Sequence, residues 1–353
     1  MIINNAKVYR NGHFESASIE FDSHIRSFSP GEGMDACGAY IIPGLIDVHT
    51  HGAMGIDASD CTAEQIHHLA QFYSDNGVTS FCFTTLTVPA DELRSAMKNI
   101  RAYERFGGEA KCTGVHLEGP FVSRGKCGAQ NPDNIRKPDI ALFNELNELS
   151  GGMVRLITVA TEVEGALDFI REASKVCTVS LGHSTADYDQ AMAGFEAGAT
   201  HVTHLFNGME PFHHRKPGLV GAALTAGANV ELICDGVHIH PAMILAVHKM
   251  FGDRLIIVSD SLRCAGLCDG RYNLGGLPMI VRDGRATLLD GTTVAVKVRR
   301  PGVAESMAED IMLMKHLLAL GEFASNSHRS ILLSLEGFVE EIERTTASEV
   351  DFT

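Results

Sequence analysis

Eight short apolar segments recur between residues 41 and 258, and their arrangement constrains the fold more than any other feature of the chain. Each is four to eight residues long, and helix-like segments separate most of them. Strands that alternate with helices at this spacing predict a parallel sheet, and eight of them predict a TIM-type (β/α)8 barrel. The predicted strands are Ile41–Val48, Thr79–Leu86, Cys112–Leu117, Val154–Ala160, Thr178–Leu181, Thr200–Leu205, Val230–Cys234 and Arg254–Val258. The predicted helices are Thr62–Asn76, Ala90–Glu104, Val163–Lys175, Ala186–Ala197 and Pro241–Phe251.

The two ends of the chain differ from this central region, and three parts are predicted. Residues 1–40 contain short alternating runs punctuated by Asn11-Gly12 and Pro30-Gly31, which indicates a small β-rich domain segment with tight turns. Residues 41–295 form the predicted barrel. Residues 296–353 form a tail with helical patterns over Ala304–Leu320 and Ser330–Arg344.

The charge and the cysteines exclude several classes of protein. The chain has 29 Lys and Arg against 44 Asp and Glu, a net charge of −15, which argues against a nucleic-acid or anionic-membrane partner. It shows neither a signal-peptide pattern nor an apolar run long enough to span a bilayer, so we expect a cytoplasmic protein without a membrane partner. The nine cysteines are scattered without a CxxC pair, and most of them are expected to be buried apolar residues.

Histidines and carboxylates occur where the predicted strands end. A single histidine at a strand end is more often a hydrogen-bonded structural residue than a ligand. Eight polar residues at the same end of six strands favour a site, because the carboxyl ends of barrel strands form one rim. They are His49 and His51 on the first strand, His116 and Glu118 on the third, His183 on the fifth, His204 on the sixth, His238 after the seventh and Asp260 after the eighth.

Five of these residues predict a site for a divalent metal. Glu118, His183 and His204 form a set of two imidazoles and one carboxylate, a combination found in catalytic zinc sites. His49 and His51 lie two residues apart on a strand, so they face the same side and could hold a second ion together. One ion or two ions both remain open, with Zn expected and Fe, Mn and Co as alternatives. Such a metal activates water and polarises a carbonyl, which amide or ester hydrolysis requires.

Asp260 is the candidate general base. It closes the last predicted strand and would lie over the barrel mouth, where it could take a proton from water and return it to the leaving amine. The alternative is that Asp260 caps a helix or solvates a loop.

The loop over Gly119–Pro132 is the first candidate binding segment. Its glycines and prolines would let the backbone approach a ligand closely, and the Gln130 amide could donate a hydrogen bond to an acyl oxygen. An ordinary surface loop is the alternative.

The segment after the sixth predicted strand is the second candidate binding segment. Arg215 could grip a phosphate, with Asn207 and the Gly208 amide beside it. A solvated basic patch is the alternative. His201 precedes His204 by three residues, so we expect it to face the opposite side of the strand and to be structural.

Five motifs resemble known hydrolases. The stretch Ile42–Gly52 (IPGLIDVHTHG) resembles the opening of the amidohydrolase superfamily. Four further motifs resemble the N-acetylglucosamine-6-phosphate deacetylase family: HLEGPF at 116–121, LGHS at 181–184, THLFNGM at 203–209 and DGVH at 235–238. Glu118 is informative, because many superfamily members have a carboxylated lysine between two metals. The resemblance covers residues 1–295.

The resemblance implies a role for each matching position. It implies hydrolysis of the acetamide of N-acetylglucosamine 6-phosphate to acetate and glucosamine 6-phosphate, a step of amino-sugar catabolism, by a homodimer. The implied metal ligands are Glu118, His183 and His204, with His49 and His51 for a second ion, and the implied acid/base is Asp260. The implied sugar-phosphate contacts are Ala129, Gln130, Asn207, Gly208, Arg215 and His238, with Gln130 standing where some members have His.

Two segments depart from the family pattern. Ser259-Asp260-Ser261 replaces the usual Thr-Asp-Ala but keeps the carboxylate. After Ala295 the family continues into a helix and later returns with strands that complete its small β domain, whereas this chain continues differently, through either a changed reading frame or divergence. Two alternatives therefore stay open: a non-catalytic or impaired sugar-phosphate binder, and a deacylase for another N-acyl amino-sugar phosphate.

Overall fold

The computed structural model describes residues 1–296 of the chain. The predicted tail therefore lies outside the described residues, apart from Val296. Within them are a five-stranded sheet at the N-terminus, an eight-stranded parallel sheet surrounded by helices, and a four-stranded antiparallel sheet.

The first 41 residues form the predicted β-rich segment. The strands are β1 (Ile2–Arg10), β2 (His13–Phe21), β3 (Ile25–Ser27), β4 (Met34–Asp35) and β5 (Tyr40–Ile41). Strands β1 and β2 form an antiparallel hairpin, β3 continues it, and β4 and β5 pair with β1 in parallel. The hairpin turns at Asn11-Gly12, where both residues have a positive φ, the conformation that an Asn-Gly turn between strands adopts most readily.

The barrel is confirmed, with all eight predicted strands present in one parallel sheet. The strands are β6 (Leu45–Thr50), β9 (Val78–Thr85), β10 (Lys111–Glu118), β11 (Val154–Val159), β12 (Thr178–Leu181), β13 (His201–Val202), β14 (Asn229–Ile233) and β15 (Leu255–Val258). They neighbour one another in chain order. A small hairpin of β7 (Gly52–Ala53) and β8 (Ile56–Asp57) follows the first barrel strand.

Strand β13 is shorter than predicted. The ladder ends at Val202, whereas the prediction extended the strand to Leu205. Beyond the end of the ladder, His204 and Phe206 adopt left-handed φ angles of 26° and 77°, which lie outside the range of regular strand backbone.

Within residues 1–296, seven α-helices pack around the barrel, and five of them were predicted. They are α1 (Ala63–Asp75), α2 (Ala90–Ala102), α3 (Ile140–Leu149), α4 (Ala166–Ala173), α5 (Tyr188–Glu196), α6 (Gly218–Ala226) and α7 (Pro241–Phe251). Helix α1 begins with a capping box formed by Thr62 and Gln65, as the sequence indicates. In the part of the chain that is described, no helix is both long enough and apolar enough to cross a bilayer.

Helices α3 and α6 were not predicted. Helix α6 has no polar face to reveal a helical period, because its first six residues are all buried. Helix α3 did carry a signal, since the Asp139 side chain caps it and Leu142, Phe143 and Leu146 repeat at helical spacing on its buried side.

A four-stranded antiparallel sheet follows the barrel within the range that was assigned to the barrel alone. Its strands are β16 (Gly270–Leu274), β17 (Leu277–Arg282), β18 (Arg285–Leu288) and β19 (Thr293–Val296). The turn at Gly275 reaches the barrel rim, where the Asn131 side chain donates a hydrogen bond to the Gly275 carbonyl at 3.2 Å. The sheet therefore contributes one wall above the barrel mouth.

The seam between β6 and β15 is tied at its carboxyl end. The Asp260 amide donates to the His49 carbonyl at 2.9 Å, and the His51 amide donates to the Ser261 carbonyl at 2.8 Å. Beneath them the buried Asp47 carboxylate accepts hydrogen bonds from the Ser259 amide, the Ser259 hydroxyl and the His49 amide. These bonds place the ends of the first and eighth barrel strands side by side.

Candidate active site

Four imidazoles converge on one buried carboxylate at the carboxyl rim of the barrel. Oε1 of Glu118 lies 2.8 Å from His204 Nε2, 3.1 Å from His183 Nε2 and 3.5 Å from His49 Nε2. Oε2 of Glu118 lies 3.1 Å from His51 Nε2. All five side chains are almost completely buried.

The donor atoms form two overlapping sets that fit divalent metal ions. The Nε2 atoms of His183 and His204 are 3.1 Å apart, and those of His49 and His51 are 3.4 Å apart. Imidazole nitrogens that face each other at this distance beside a carboxylate are arranged as ligands of one ion. Glu118 belongs to both sets, one with His183 and His204 and the other with His49 and His51. Imidazole and carboxylate together suit Zn²⁺ and similar ions.

Unusual backbone angles orient two of these histidines, and also the nearby Asp260. His183, His204 and Asp260 have positive φ angles of 45°, 26° and 47°, although none is a glycine. Such conformations cost free energy and persist where the surrounding structure holds them, which is common at functional sites. His183 is held further by its Nδ1, which lies 2.9 Å from the Lys126 carbonyl.

The charges in the site are mutually stabilised. Burial raises the pKa of Glu118, but the neighbouring His49 and His183 imidazoles outweigh burial and hold this pKa well below its usual range. Burial lowers the pKa of His51, but the Asp260 and Glu118 carboxylates outweigh it and raise this pKa to about 9.

Asp260 lies against the same cluster. Its Oδ1 is 3.3 Å from His51 Nε2 and 3.4 Å from His49 Nε2. Burial raises the pKa of the carboxyl, but the charges of His49 and His51 outweigh burial and lower it below the ordinary value. An ionised carboxylate at the cavity surface can accept a proton.

A cavity opens above these residues and includes most of the predicted substrate contacts. Ala129, Gln130, Asn207, Gly208 and His238 all line it, together with the predicted ligands His51, Glu118, His183 and His204 and with Asp260. Apolar walls come from Leu86, Ile233, Leu262 and Leu274. Among the described residues, the buried Asn207 Nδ2 has no hydrogen-bond partner, so it is a free donor at this wall.

Gln130 contacts the protein differently from the sequence interpretation. Its Nε2 donates to Glu118 Oε2 at 2.6 Å, and its Oε1 accepts from the Thr87 amide at 2.7 Å. Gln130 thus positions a carboxylate of the site, and because its NH2 group carries a second hydrogen, its contact with an acyl oxygen stays a prediction.

Arg215 lies outside the lining of this cavity. Residues 211–216 form an exposed loop that turns back on itself between His213 and Lys216 before helix α6 begins. Arg215 is therefore not among the residues that line the cavity with Asn207 and Gly208, and its contact with a phosphate stays a prediction.

His238 is oriented by a neighbouring carboxylate. The His238 Nδ1 lies 2.6 Å from Asp235 Oδ2, and Asp235 Oδ1 accepts from the amides of Val237 and His238 at 2.8 Å. This turn fixes the ring at the cavity wall.

Two buried carboxylates of the site were missed by sequence reasoning. Asp47 ties the first and eighth strands, and Glu231 lies behind His49 with its Oε2 2.8 Å from His49 Nδ1. Both occupy the interior of apolar strand segments, where a charge is costly unless it is paired. A charged residue inside an apolar strand segment was therefore the available signal, but it lies away from the strand ends where polar site residues were expected.

Two family models match the chain. The amidohydrolase family matches residues 40–309, and the ABC1 atypical kinase-like domain matches residues 284–353. The second match covers the tail and overlaps the end of the first.

Curated relatives match over the barrel region. The N-acetylglucosamine-6-phosphate deacetylase of Bacillus subtilis (strain 168) is 37% identical over 276 residues, covering 76% of this chain and 70% of the relative. That of Vibrio furnissii is 36% identical and covers 69% of this chain and 62% of the relative. An N-acetylgalactosamine-6-phosphate deacetylase of Escherichia coli O157:H7 is 38% identical and covers 67% and 63%. The matched region thus spans about two thirds of the relatives' length.

Solved structures of N-acetylglucosamine-6-phosphate deacetylases also resemble this chain. A variant of N-acetyl-D-glucosamine-6-phosphate deacetylase from Mycobacterium smegmatis, in complex with N-acetyl-D-glucosamine-6-phosphate, superposes with a TM-score of 0.78 at 29% identity, covering 95% of this chain and 86% of the other. The N-acetylglucosamine-6-phosphate deacetylase of Thermotoga maritima superposes with a TM-score of 0.75 at 30% identity, covering 84% and 80%.

Proposed function

We propose that this chain, which belongs to the amidohydrolase family and within it to the N-acetylglucosamine-6-phosphate deacetylases, hydrolyses the acetamide of N-acetylglucosamine 6-phosphate. The products are glucosamine 6-phosphate and acetate, as a step of amino-sugar catabolism. The observation that carries the proposal is the convergence of four imidazoles on Glu118 at the barrel rim, with the Asp260 carboxylate beside them.

The metal ligands are proposed from this donor set. Glu118, His183 and His204 would hold one ion, and His49 and His51 with Glu118 would hold a second. We propose Zn, with Fe, Mn and Co as alternatives, because the donors are imidazole and carboxylate. A divalent ion would supply Lewis-acid activation of water and of the acetamide carbonyl.

Asp260 would move the proton. Its carboxylate is kept ionised by His49 and His51, so its Oδ1 can accept a proton from the attacking water. Asp260 would then donate that proton to the departing amine of the sugar.

The substrate would be oriented by the cavity wall. Asn207 offers its unpartnered buried amide, and Ala129, Gly208 and His238 lie on the same surface. Gln130 would act through Glu118, to which it donates a hydrogen bond.

Arg215 would bind the phosphate in a homodimer. Its guanidinium is exposed and absent from the lining of its own chain's cavity, which is what a dimer that shares contacts requires. The test mixes Arg215→Ala chains with Asp260→Asn chains, each expected to be inactive alone. Recovered activity in the mixture supports sharing between subunits, and the absence of recovery in a verified mixed dimer contradicts it.

A cytoplasmic location stays a prediction.

The activity test measures glucosamine 6-phosphate release by the chain loaded with Zn²⁺. Asp260→Asn should lower kcat by a factor of about 10² to 10⁴ while the metal content stays unchanged, since the loss is that of a general acid/base. A fully metal-loaded chain that never turns over would contradict the proposal. Comparing the N-acetylgalactosamine epimer, and each sugar without its phosphate, would define the acyl-sugar preference.

A second candidate function is a non-catalytic sugar-phosphate binder. The observation that favours it is the tail, which matches a different family from residue 284 onward while the curated relatives continue beyond the matched region. Stabilisation of the chain by the sugar phosphate without release of acetate would support this candidate.

A further inference from the structure

Glu231 is a charged residue in the middle of a buried barrel strand. It lies on β14 among apolar neighbours, and its side chain is 0% exposed. Transfer of an unpaired carboxylate into such an interior costs far more than a folded domain can offset, so its partners decide what it does.

The partners of Glu231 belong to the proposed metal site. Its Oε2 lies 2.8 Å from His49 Nδ1 and accepts a hydrogen bond from the His204 amide at 3.3 Å. Its Oε1 lies 3.1 Å from His201 Nε2. One carboxylate thus contacts the ring of one proposed ligand and the backbone of another.

These contacts determine which nitrogen of His49 is free to bind a metal. A carboxylate at hydrogen-bond distance keeps the proton on Nδ1, so the lone pair stays on Nε2. That Nε2 is the atom that faces Glu118 and His51. A metal-binding histidine usually has such a partner on its other ring nitrogen, because the partner fixes both the ring orientation and the tautomer.

We propose that Glu231 is a positioning residue that prepares His49, and through the His204 amide also the neighbouring ligand, to bind the second divalent ion. The inference rests on the proposed metal-dependent function, but it concerns ion affinity alone. His201 assists by contacting the other carboxylate oxygen of Glu231. His201 therefore supports the site from behind, whereas the sequence suggested only that it faces the opposite side of the strand.

An alternative arrangement uses the same residues. Glu231, His49 and His116 have ligand atoms within 4.8 Å of one another and could hold a deeper ion. The His49 and His201 contacts of Glu231 are at hydrogen-bond distances. These bonds favour positioning, and the deeper ion is an outcome that the experiment can detect.

The experiment measures Zn²⁺ binding to the metal-stripped full chain by equilibrium dialysis, without substrate. Glu231→Gln should weaken the ion site that includes His49 by a factor of about 10 to 100, the usual effect of removing a ligand's outer partner. His49→Gln should remove the same binding step. Glu109→Gln is the matched control, because it makes the same change in a buried carboxylate 2.9 Å from the Nδ1 of a different histidine, His67.

Three results would overturn the proposal. The first is that Glu231→Gln binds both ions like the unmodified chain, and the second is that His49→Gln leaves ion binding unchanged. The third is that Glu231→Gln loses an ion that His51→Gln retains, which would identify Glu231 as a ligand of a deeper ion. If Glu231→Gln does not fold, Glu231→Asp replaces it, because it retracts the carboxylate by one methylene. The same Zn²⁺ dissociation constants are then compared. Failure of the deacetylase proposal would show separately, as normal ion binding without sugar-phosphate hydrolysis.

Discussion

The two ends of the seam between strands β6 and β15 differ in how they are held. At the carboxyl end, Asp47 accepts three hydrogen bonds and Ser261 bonds the first strand through its backbone and its hydroxyl. At the amino end of β6, the apolar side chains of Leu45 and Ile46 are 49% and 62% exposed. Directional polar bonds therefore fix the end that carries the site, whereas the opposite end presents apolar surface.

This difference shows that side-chain positions must be precise at the carboxyl end of the seam. The proposed ligands His49 and His51 and the proposed acid/base Asp260 stand on the two strands of this seam, so their separation depends on its closure. Apolar contacts are non-directional and tolerate small shifts, whereas hydrogen bonds between buried groups fix positions closely.

The largest effect is expected from breaking the polar end of the seam at Asp47. Replacing Asp47 by Ala leaves the buried His49 amide without its acceptor, which costs about 1–3 kcal/mol, and also removes two hydrogen bonds from Ser259, each with a net contribution of about 0.5–1.5 kcal/mol. We expect a loss of about 4 kcal/mol in the free energy of unfolding, measured by urea titration. The exposed Asp253→Ala is the control, and an equal loss in both variants would contradict the comparison.

A somewhat smaller effect is expected from pH acting on the metal-stripped chain. Burial lowers the pKa of His51, but carboxylate contacts outweigh it and raise the folded-state value from 6.5 to about 9. Since the raised pKa belongs to the folded state, its stabilisation is complete below pH 6.5 and is lost as the pH rises through 9. The expected decrease is about 3 kcal/mol over this range.

Adding Zn²⁺ should reverse this trend, because metal ligands must be deprotonated and binding therefore strengthens as the pH rises. Thermal melts of the stripped and loaded chain between pH 6 and 9 provide the measurement, and parallel curves for the two forms would refute the expectation.

Ser261→Ala should produce a modest effect at the same end. It removes the hydroxyl that donates to the Gly52 carbonyl at 2.8 Å and lies 2.8 Å from the Thr50 hydroxyl. We expect a loss of about 1 kcal/mol by urea titration, with the exposed Ser23→Ala unchanged. This serine stands where the resembling family has alanine, so a neutral result would mean that its bonds add nothing to seam closure.

The smallest effect is expected at the apolar end. Ile46 near the start of β6 is 62% exposed, so Ile46→Thr should change the free energy of unfolding by less than about 0.5 kcal/mol and should improve solubility. At the carboxyl end, Val258→Thr places a hydroxyl at a position that is 4% exposed and should cost more. Equal costs would show that the two ends of the seam are held alike.

The sequence allowed the barrel and the position of its polar rim to be predicted, and the reasons are physical. Buried parallel strands need continuous apolar segments, and their carboxyl ends meet, so His49, Glu118, His183 and His204 could be expected near one another before any coordinates existed. The structure brings these four together with His51 and Asp260.

Other features depend on tertiary contacts that no local pattern encodes. Gln130 could not be assigned to Glu118 from spacing, because the loop between them is irregular, and the exposed course of the Arg215 loop is set by its own turn. The sheet after residue 270 was passed over because its strands follow the eighth barrel strand, where the barrel pattern leads one to expect a helix.

The Gln130 amide links the binding loop to the metal-binding carboxylate. It joins the Thr87 amide on one side to Glu118 on the other, and residues 128–130 form part of the cavity wall. A sugar that contacts this wall and shifts the Gln130 amide would therefore also shift Glu118, a proposed metal ligand. Thermodynamic linkage then requires reciprocity: if the metal ion tightens sugar binding, the sugar tightens ion binding by the same factor.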